Sequence, residues 1–123
     1  MVLPSRERDL GRWLSMKLFN NSTLRAIRES LRDNAGGQQS LENWRDMLEA
    51  ADWSCHDDLV TKATHSPDPV GGDRVVFNIL NNDFRLVVRV DYDRRWVFLH
   101  WFGTHREYDQ IDVRTVPRNL RSS

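Results

Sequence analysis

The sequence predicts a single α+β domain in which two or three helices come first and a small antiparallel sheet follows. Its 123 residues are typical of one domain. Apolar residues recur at helical spacing in the first half and at every second position after residue 73, without an alternation of strands and helices. Between the halves, residues 67–72 contain two prolines and two glycines, so we predict an irregular loop there.

A short strand and a first helix open the pattern. The strand is predicted over Met16–Phe19 and ends at two asparagines. Ser22 is then predicted to cap a helix that stops at the Asn-Ala-Gly-Gly sequence of residues 34–37. The apolar stripe of this helix consists of Leu24, Ile27 and Leu31.

Two further helices are predicted before the loop. Ser40 starts the longer one, and the capping-box spacing of Ser54 and Asp57 indicates a short one that ends at about Ala63. Trp44 and Trp53 are predicted to pack between elements. The buried face of the longer helix is predicted to hold Leu41, Trp44, Leu48 and Ala51.

Three strands joined by tight turns are predicted to form a meander over Arg74–Leu80, Phe84–Asp91 and Arg95–Phe102. The first two alternate, so one face of each should pack on the helices. The third is apolar on both faces, which predicts a central position or a covering partner. Residues expected on the face that the helices leave uncovered are Arg74, Asn78, Arg85 and Arg89.

We expect neither a membrane-spanning nor a secreted protein. No apolar run approaches the roughly 20 residues of a membrane-spanning helix, and the first fifteen residues are too charged for a signal peptide. We therefore expect a cytoplasmic protein. Cys55, His56 and His65 lack a fourth ligand at fixed spacing, so we expect no metal site and no cofactor. The two histidines are expected to be either exposed to solvent or hydrogen-bonded locally. His100 is expected to be a core histidine with a hydrogen-bond partner.

The charge is unevenly distributed. The whole chain is neutral, but residues 74–123 carry nine arginines and six carboxylates, a net charge of +3. Sixteen of the eighteen cations are arginine, whose planar guanidinium suits phosphate contacts. An arginine-rich surface that merely reflects a GC-rich genome explains the composition equally well.

Titratable side chains are concentrated in residues 103–109, directly after the third strand. His105, Glu107 and Tyr108 can exchange or donate protons, and Arg85 can reach the same face to stabilise a pentacovalent phosphate. These groups suit RNA cleavage by a ribose 2′-hydroxyl, which needs no metal. The alternative is a polar turn in which His105 bonds the backbone and Tyr108 packs on the sheet.

Three ordered blocks of the sequence resemble the signatures of the HigB family of toxins, within the RelE/ParE superfamily. The blocks are Arg74-Val75-Val76-Phe77-Asn78-Ile79, then Asn82-x-Phe84-Arg85-Leu86-Val87-Val88, and Gly103-Thr104-His105-x-Glu107-Tyr108-Asp109. The resemblance runs from Met16 to about Asp112. It implies a RelE-like small sheet packed on two or three N-terminal helices, with the domain over residues 16–123. Residues 1–15 are then an N-terminal extension or a start assigned too early, and a chain that begins at Met16 is expected to fold.

The resemblance also implies an activity and partners. HigB-type toxins are mRNA interferases that cleave transcripts largely on the translating ribosome. They are neutralised by a HigA-type helix-turn-helix antitoxin. The toxin is therefore expected to associate with operator DNA only indirectly, through the antitoxin. Leu99 and Trp101 are candidate antitoxin contacts.

Roles carried over by position are expectations of the same kind. Arg85, His105, Glu107 and Tyr108 are the candidate catalytic residues, with Asn78 and Asp109 as orienting groups. Arg85 would stabilise the transition state, His105 would give or take a proton, and Tyr108 would transfer a second proton or stack on a base. Asp109 could equally cap a short helix through the sequence of residues 108–112. The candidate RNA-binding residues are Arg74, Arg89 and Arg106.

One departure and two alternatives accompany this interpretation. Asn81 stands where the family usually has glycine, and asparagine tolerates a positive φ, so the hairpin should survive. The first alternative is a toxin that binds and inhibits a target such as gyrase without cleaving RNA. The second is a degenerate toxin that acts within an antitoxin–operator complex.

Overall fold

The computed structural model describes residues 15–19 and 21–119, and it has the α+β architecture that the sequence predicts. The predictions for residues 1–14 lie outside the described residues. Among the described residues, no helix has the length and apolar character needed to span a membrane. In chain order the elements are β1 (Lys17–Phe19), α1 (Asn21–Ser30), α2 (Ala35–Glu49), α3 (His56–Lys62), β2 (Asp68–Gly71), β3 (Arg74–Ile79), β4 (Phe84–Asp91), β5 (Trp96–Thr104) and α4 (His105–Tyr108).

The five strands form one sheet in the order β1-β5-β4-β3-β2. The predicted meander of β3, β4 and β5 is its antiparallel centre, with Phe77 opposite Leu86. β1 adds a parallel strand beside β5. Because β5 therefore has a neighbour on each side, its predicted central position is confirmed.

The main core lies between α1, α2 and α3 and one face of the sheet. Trp44 and Trp53 are buried there as predicted, and the Trp44 ring meets the edge of Phe77 with 5.6 Å between centroids. Met16 is buried too, and its backbone N–H donates to the carbonyl of Ala51 at 2.8 Å. The apolar stripes of the helices and the inward side of β3 and β4 were thus predicted correctly.

The start of α2 differs from the prediction. The helix begins at Ala35, not Ser40, because Asn34 acts as its N-cap and accepts a hydrogen bond from Gly37 N–H at 2.9 Å. The glycines that were expected to stop α1 lie in the first turn of α2. Gly37 is buried, and a Cβ there would stand 3.1 Å from Leu31, so a small residue lets the end of α1 pack closely. Ser22 likewise lies inside α1.

The predicted loop at residues 67–72 is also wrong in part, since Asp68–Gly71 forms β2. β2 pairs antiparallel with β3 and is the outermost strand of the sheet. Proline is tolerated on an edge strand, where its missing N–H need not serve the ladder. The irregular register between Pro69 and Gly71 and the positive φ of Gly72 then turn the chain into β3.

A β-bulge in β5 breaks the expected alternation. Val87 pairs with Trp101 and Val88 with Leu99, so His100 has no partner of its own in the ladder. As a result Leu99 faces the helices, whereas Trp101 faces the other side of the sheet. The extra residue could not be read from a sequence that is apolar on both faces.

The face that was expected to be uncovered is covered in part by the chain itself. Residues 108–116 pack over Trp101, Val76 and Val87, which are buried in a second apolar cluster. Arg74 Nη1 fixes this segment by donating to the carbonyls of Val113 at 2.7 Å and Val116 at 3.1 Å. Leu99 lies in the main core and Trp101 beneath the segment, so neither is exposed for the antitoxin contact that was predicted.

His100 is half-buried beneath this segment, and its Nε2 donates to the carbonyl of Val116 at 2.8 Å. Burial lowers the pKa of His100, and the nearby guanidinium of Arg74 lowers it further. The folded chain thus disfavours the protonated form, so stability is complete above the ordinary value of 6.5 and is lost as the pH falls through it.

We therefore expect the free energy of unfolding to fall between about pH 7 and about pH 5, and to fall less in His100→Gln. Urea denaturation at the two pH values measures this change. Burial also lowers the pKa of His65, so part of the dependence should remain in the variant. An unchanged dependence in His100→Gln would contradict the assignment.

Candidate functional site

Arg85 projects from β4 on the side of the sheet away from the helices, and its guanidinium is held in place by the turn before the strand. Nη1 donates to the carbonyls of Asn82 at 3.0 Å and Phe84 at 3.2 Å, and Nη2 donates to Asn82 Oδ1 at 2.8 Å. The turn contains Asn81 at a φ of 55°, as its place in the hairpin required. A short β-turn therefore orients the cation.

His105 is the first residue of α4, directly after β5. Thr104 caps this one-turn helix by accepting from Glu107 N–H, and the Glu107 carboxylate accepts from Thr104 N–H at 2.8 Å. The backbone N–H of His105 donates to the carbonyl of Asp83 at 2.8 Å, which ties α4 to the same turn that holds Arg85. Two independent anchors thus fix the backbone of His105.

The side chains of Arg85 and His105 meet at the exposed end of the sheet. Arg85 Nη2 donates to His105 Nδ1 at 3.1 Å. Because a guanidinium has no acceptor, Nδ1 must supply a lone pair and the neutral ring carries its proton on Nε2. On that side Asp109 Oδ2 lies 3.5 Å away.

Tyr108 completes the cluster from the last position of α4. Its ring centroid is 5.8 Å from Arg85 Cζ and 6.2 Å from the Trp101 ring, which forms its apolar support. Burial of the ring raises the pKa of Tyr108, and the nearby carboxylate of Asp68 raises it further. The Arg85 guanidinium opposes this shift. The phenol therefore stays protonated at neutral pH and can donate a hydrogen bond or a proton.

The remaining predicted residues occupy different surroundings. Glu107 is engaged in the capping box, and Asp109 follows the last residue of α4 instead of starting a helix. Asn78 lies directly opposite Arg85 in the β3–β4 ladder. These positions leave the functional roles of all three residues as predictions.

The three arginines expected to bind RNA do not form one surface. Arg74 holds the C-terminal segment through Nη1. Arg89 Nε donates to Asp73 at 3.0 Å at the far end of β4. Arg106 is exposed on α4 beside His105. By position, only Arg106 adjoins the Arg85–His105 pair.

Two structural contributors to the site were missed. Asn82 orients Arg85 through both its side chain and its carbonyl. Trp101 supports Tyr108 and packs against Gly103, where an added Cβ would lie 2.4 Å from the indole. Asn82 stood in the second sequence block and could have been found there, whereas the position of Trp101 depends on the bulge.

The other histidines have local partners, as predicted. His56 Nδ1 bonds the hydroxyl of Tyr92, and its Nε2 donates to the carbonyl of Gly72 at 3.0 Å. His65 Nε2 donates to the carbonyl of Ser40 at 3.1 Å. Within residues 15–19 and 21–119, no three His, Cys, Asp or Glu side chains converge to hold a metal ion.

Comparison with known proteins adds one finding. Residues 37–111, more than half of the chain, match the family model HigB_toxin, described as the RelE-like toxic component of a toxin-antitoxin system. The match includes α2 from Gly37 onward, the whole sheet except β1, and the cluster of Arg85, His105 and Tyr108. No curated protein matches the chain.

Proposed function

The chain belongs to the HigB family of RelE-like toxins from toxin–antitoxin systems, and from that premise we propose that it is an endoribonuclease that cleaves messenger RNA on translating ribosomes. A toxin of such a module has an antitoxin partner. We propose a HigA-type helix-turn-helix antitoxin, which alone would contact operator DNA, and a cytoplasmic place of action, where translation occurs.

The observation that supports catalysis is the pairing of Arg85 with His105 beside a protonated Tyr108 at the exposed end of the sheet. A guanidinium donor lies 3.1 Å from an imidazole lone pair, and a phenol approaches the same guanidinium. These are an anion-stabilising group, a proton acceptor and a proton donor. A surface that only bound a protein would not need them together.

The reaction that uses such a set is attack of a ribose 2′-hydroxyl on the adjacent phosphate. The bond from O2′ to phosphorus forms, and the bond from phosphorus to the 5′ oxygen of the next nucleotide breaks. A base takes the proton of the 2′-hydroxyl, and an acid supplies one to the departing 5′ oxygen. The products carry a 2′,3′-cyclic phosphate and a 5′-hydroxyl.

Arg85 and His105 are coupled in this scheme. Without substrate the Nδ1 lone pair of His105 is occupied by the Arg85 guanidinium. A substrate phosphate attracts that guanidinium through charge-assisted hydrogen bonds, which frees Nδ1 to accept the 2′-hydroxyl proton. Asp109, 3.5 Å from Nε2, then stabilises the imidazolium that forms.

Tyr108 serves as the acid. Its raised pKa keeps the proton on the phenol until the departing oxygen develops charge. The same position beneath Arg85 also allows the ring to stack on a base, which is the second role expected from the sequence. Arg106, exposed beside His105, adds a backbone phosphate contact.

Two alternatives stay open to experiment. A chain that inhibits gyrase by binding would use this surface as a docking site, and a degenerate toxin would retain only its contact with the antitoxin. We expect expression without antitoxin to arrest growth and to produce transcripts with new 5′ ends inside coding regions. Sequencing of the 5′ ends of transcripts after induction measures this. Intact messages together with inhibited supercoiling would favour the gyrase alternative. Normal growth would favour the degenerate toxin.

A further inference from the structure

A small polar pocket opens at the end of β3 that lies beyond its pairing with β2, where Asn78 N–H donates to the carbonyl of His65 at 2.8 Å. Its volume is about 270 Å³, just below the roughly 300–1,000 Å³ of pockets that hold drug-sized ligands. It therefore suits one small ring system. The pocket is lined by Ser40, Thr64, His65, Ser66, Asn78 and Asn81.

Hydrogen-bonding groups in the pocket are available to a ligand. Among the described residues, no partner bonds the side-chain amide of Asn78 or Asn81, or the hydroxyl of Ser66. Amide groups offer a donor and an acceptor side by side, which is the arrangement that reads the edge of a nucleobase.

The lining carries no formal charge. Five of its residues are neutral by type, and burial lowers the pKa of His65, so its imidazole is neutral as well. The hydrogen bonds of His65 fit a neutral ring, because its Nε2 donates to the Ser40 carbonyl while its Nδ1 accepts from Thr64 Oγ1 at 2.7 Å. A neutral polar pocket favours a heterocycle over a phosphate.

The backbone around the pocket is held in an uncommon conformation. Positive φ angles occur at His65 (67°), Ser66 (51°), Leu80 (52°) and Asn81 (55°), on the two loops that flank it. Ser40 ties both loops down, since its hydroxyl accepts from Leu80 N–H at 2.8 Å and its carbonyl accepts from His65. Strained conformations of this kind persist where the surrounding structure over-determines them, and they concentrate at ligand sites.

The pocket adjoins the cluster that would act on the phosphate. Asn78 is the cross-strand partner of Arg85, and paired residues on one face of an antiparallel ladder are about 5 Å apart. Asn81 precedes Asn82, which orients Arg85. A nucleotide whose phosphate binds Arg85 can thus reach the pocket with its base.

We propose that this pocket receives one unstacked nucleobase of the RNA substrate, next to the phosphate that is cleaved, and that Asn78 and Asn81 read its hydrogen-bonding edge. The inference rests on the proposed ribonuclease function. It makes Asn78 a specificity residue, where the sequence predicted an orienting one.

The first experiment compares the bases that flank cleavage sites in wild type, Asn78→Ala and Asn81→Gly. Glycine adopts the positive φ of residue 81 without strain, so that variant removes the amide and keeps the turn. We expect wild type to enrich particular bases at one position beside the cut, and each variant to reduce this enrichment by about fivefold or more. Asn43→Ala, an exposed asparagine of α2, is the matched control and should keep the wild-type pattern. Cleavage by both pocket variants with an unchanged base pattern would overturn the pocket assignment alone.

A second experiment does not depend on cleavage. The purified chain is titrated with each of the four ribonucleoside 5′-monophosphates while the side-chain amide resonances of Asn78 and Asn81 are followed by NMR. We expect at least one nucleotide to shift both resonances in wild type. If neither the wild type nor any variant cleaves RNA but these shifts occur, the proposed function is wrong and the assignment of a base-binding pocket is supported. If no nucleotide shifts either resonance, the pocket assignment fails.

Discussion

Replacement of His105 by alanine is expected to lower RNA cleavage by roughly a hundredfold or more, because the reaction loses its proton acceptor. The side chain is exposed and packs in neither apolar cluster. The free energy of unfolding should therefore change by about 0.5 kcal/mol or less. Cleavage assays beside thermal unfolding of the same preparation measure both quantities.

Arg85→Ala is the companion variant and should lower cleavage by a similar factor through lost transition-state stabilisation. Its stability should fall more, by about 1 kcal/mol, because the guanidinium also bonds the turn at Asn82. Arg32→Ala, an exposed arginine after α1, is the control and should be fully active. If His105→Ala or Arg85→Ala keeps full activity and melts normally, the active site lies elsewhere on the protein.

Phe77→Ala should have the largest effect on stability. The ring is completely buried between the sheet and α2, where it meets Trp44. Its removal leaves a core cavity and should cost about 3–5 kcal/mol. Urea denaturation measures the loss, and cleavage should disappear only in proportion to the unfolded fraction. Val60→Ala, at a half-exposed side chain, should change stability by about 0.5 kcal/mol or less. A cost below about 1 kcal/mol for Phe77→Ala would contradict the packing described.

The parts of the fold that follow from local patterns were predictable from the sequence. β4 has the bounds that its alternation predicts, Phe84–Asp91, because one of its faces packs on the helices and the other carries polar residues around the buried Val87. Leu41, Trp44 and Leu48 identified the buried face of α2 for the same reason. In both elements a single period decides which side chains face the main core.

The parts that depend on tertiary contacts were not predictable. Asn34 competes with Ser40 as a cap, and close packing of Gly37 against Leu31 favours the earlier start. The bulge at His100 is compatible with any register of a strand that is apolar on both faces. Coverage of Trp101 by residues 108–116 needs that bulge and the hydrogen bonds of Arg74, neither of which leaves a periodic signal.

The sequence predicted which residues belong to the candidate site better than it predicted how they are arranged. The sequence grouped Arg85, His105 and Tyr108, and the structure brings these three side chains together. It could not show that Glu107 bonds its own helix cap or that Asn82 orients Arg85, because both depend on turn conformation. Their catalytic roles stay predictions.

The chemistry at the ends of the cleaved RNA tests the central claim most directly. Attack by the 2′-hydroxyl, assisted by His105 and Arg85, predicts a 2′,3′-cyclic phosphate on the upstream fragment and a 5′-hydroxyl on the downstream fragment. Ligation-based sequencing with and without prior 5′ phosphorylation distinguishes these ends. We expect fragments that ligate only after phosphorylation, and far fewer of them with His105→Ala. Fragments that already carry a 5′-phosphate, or wild-type yields from His105→Ala, would contradict the mechanism.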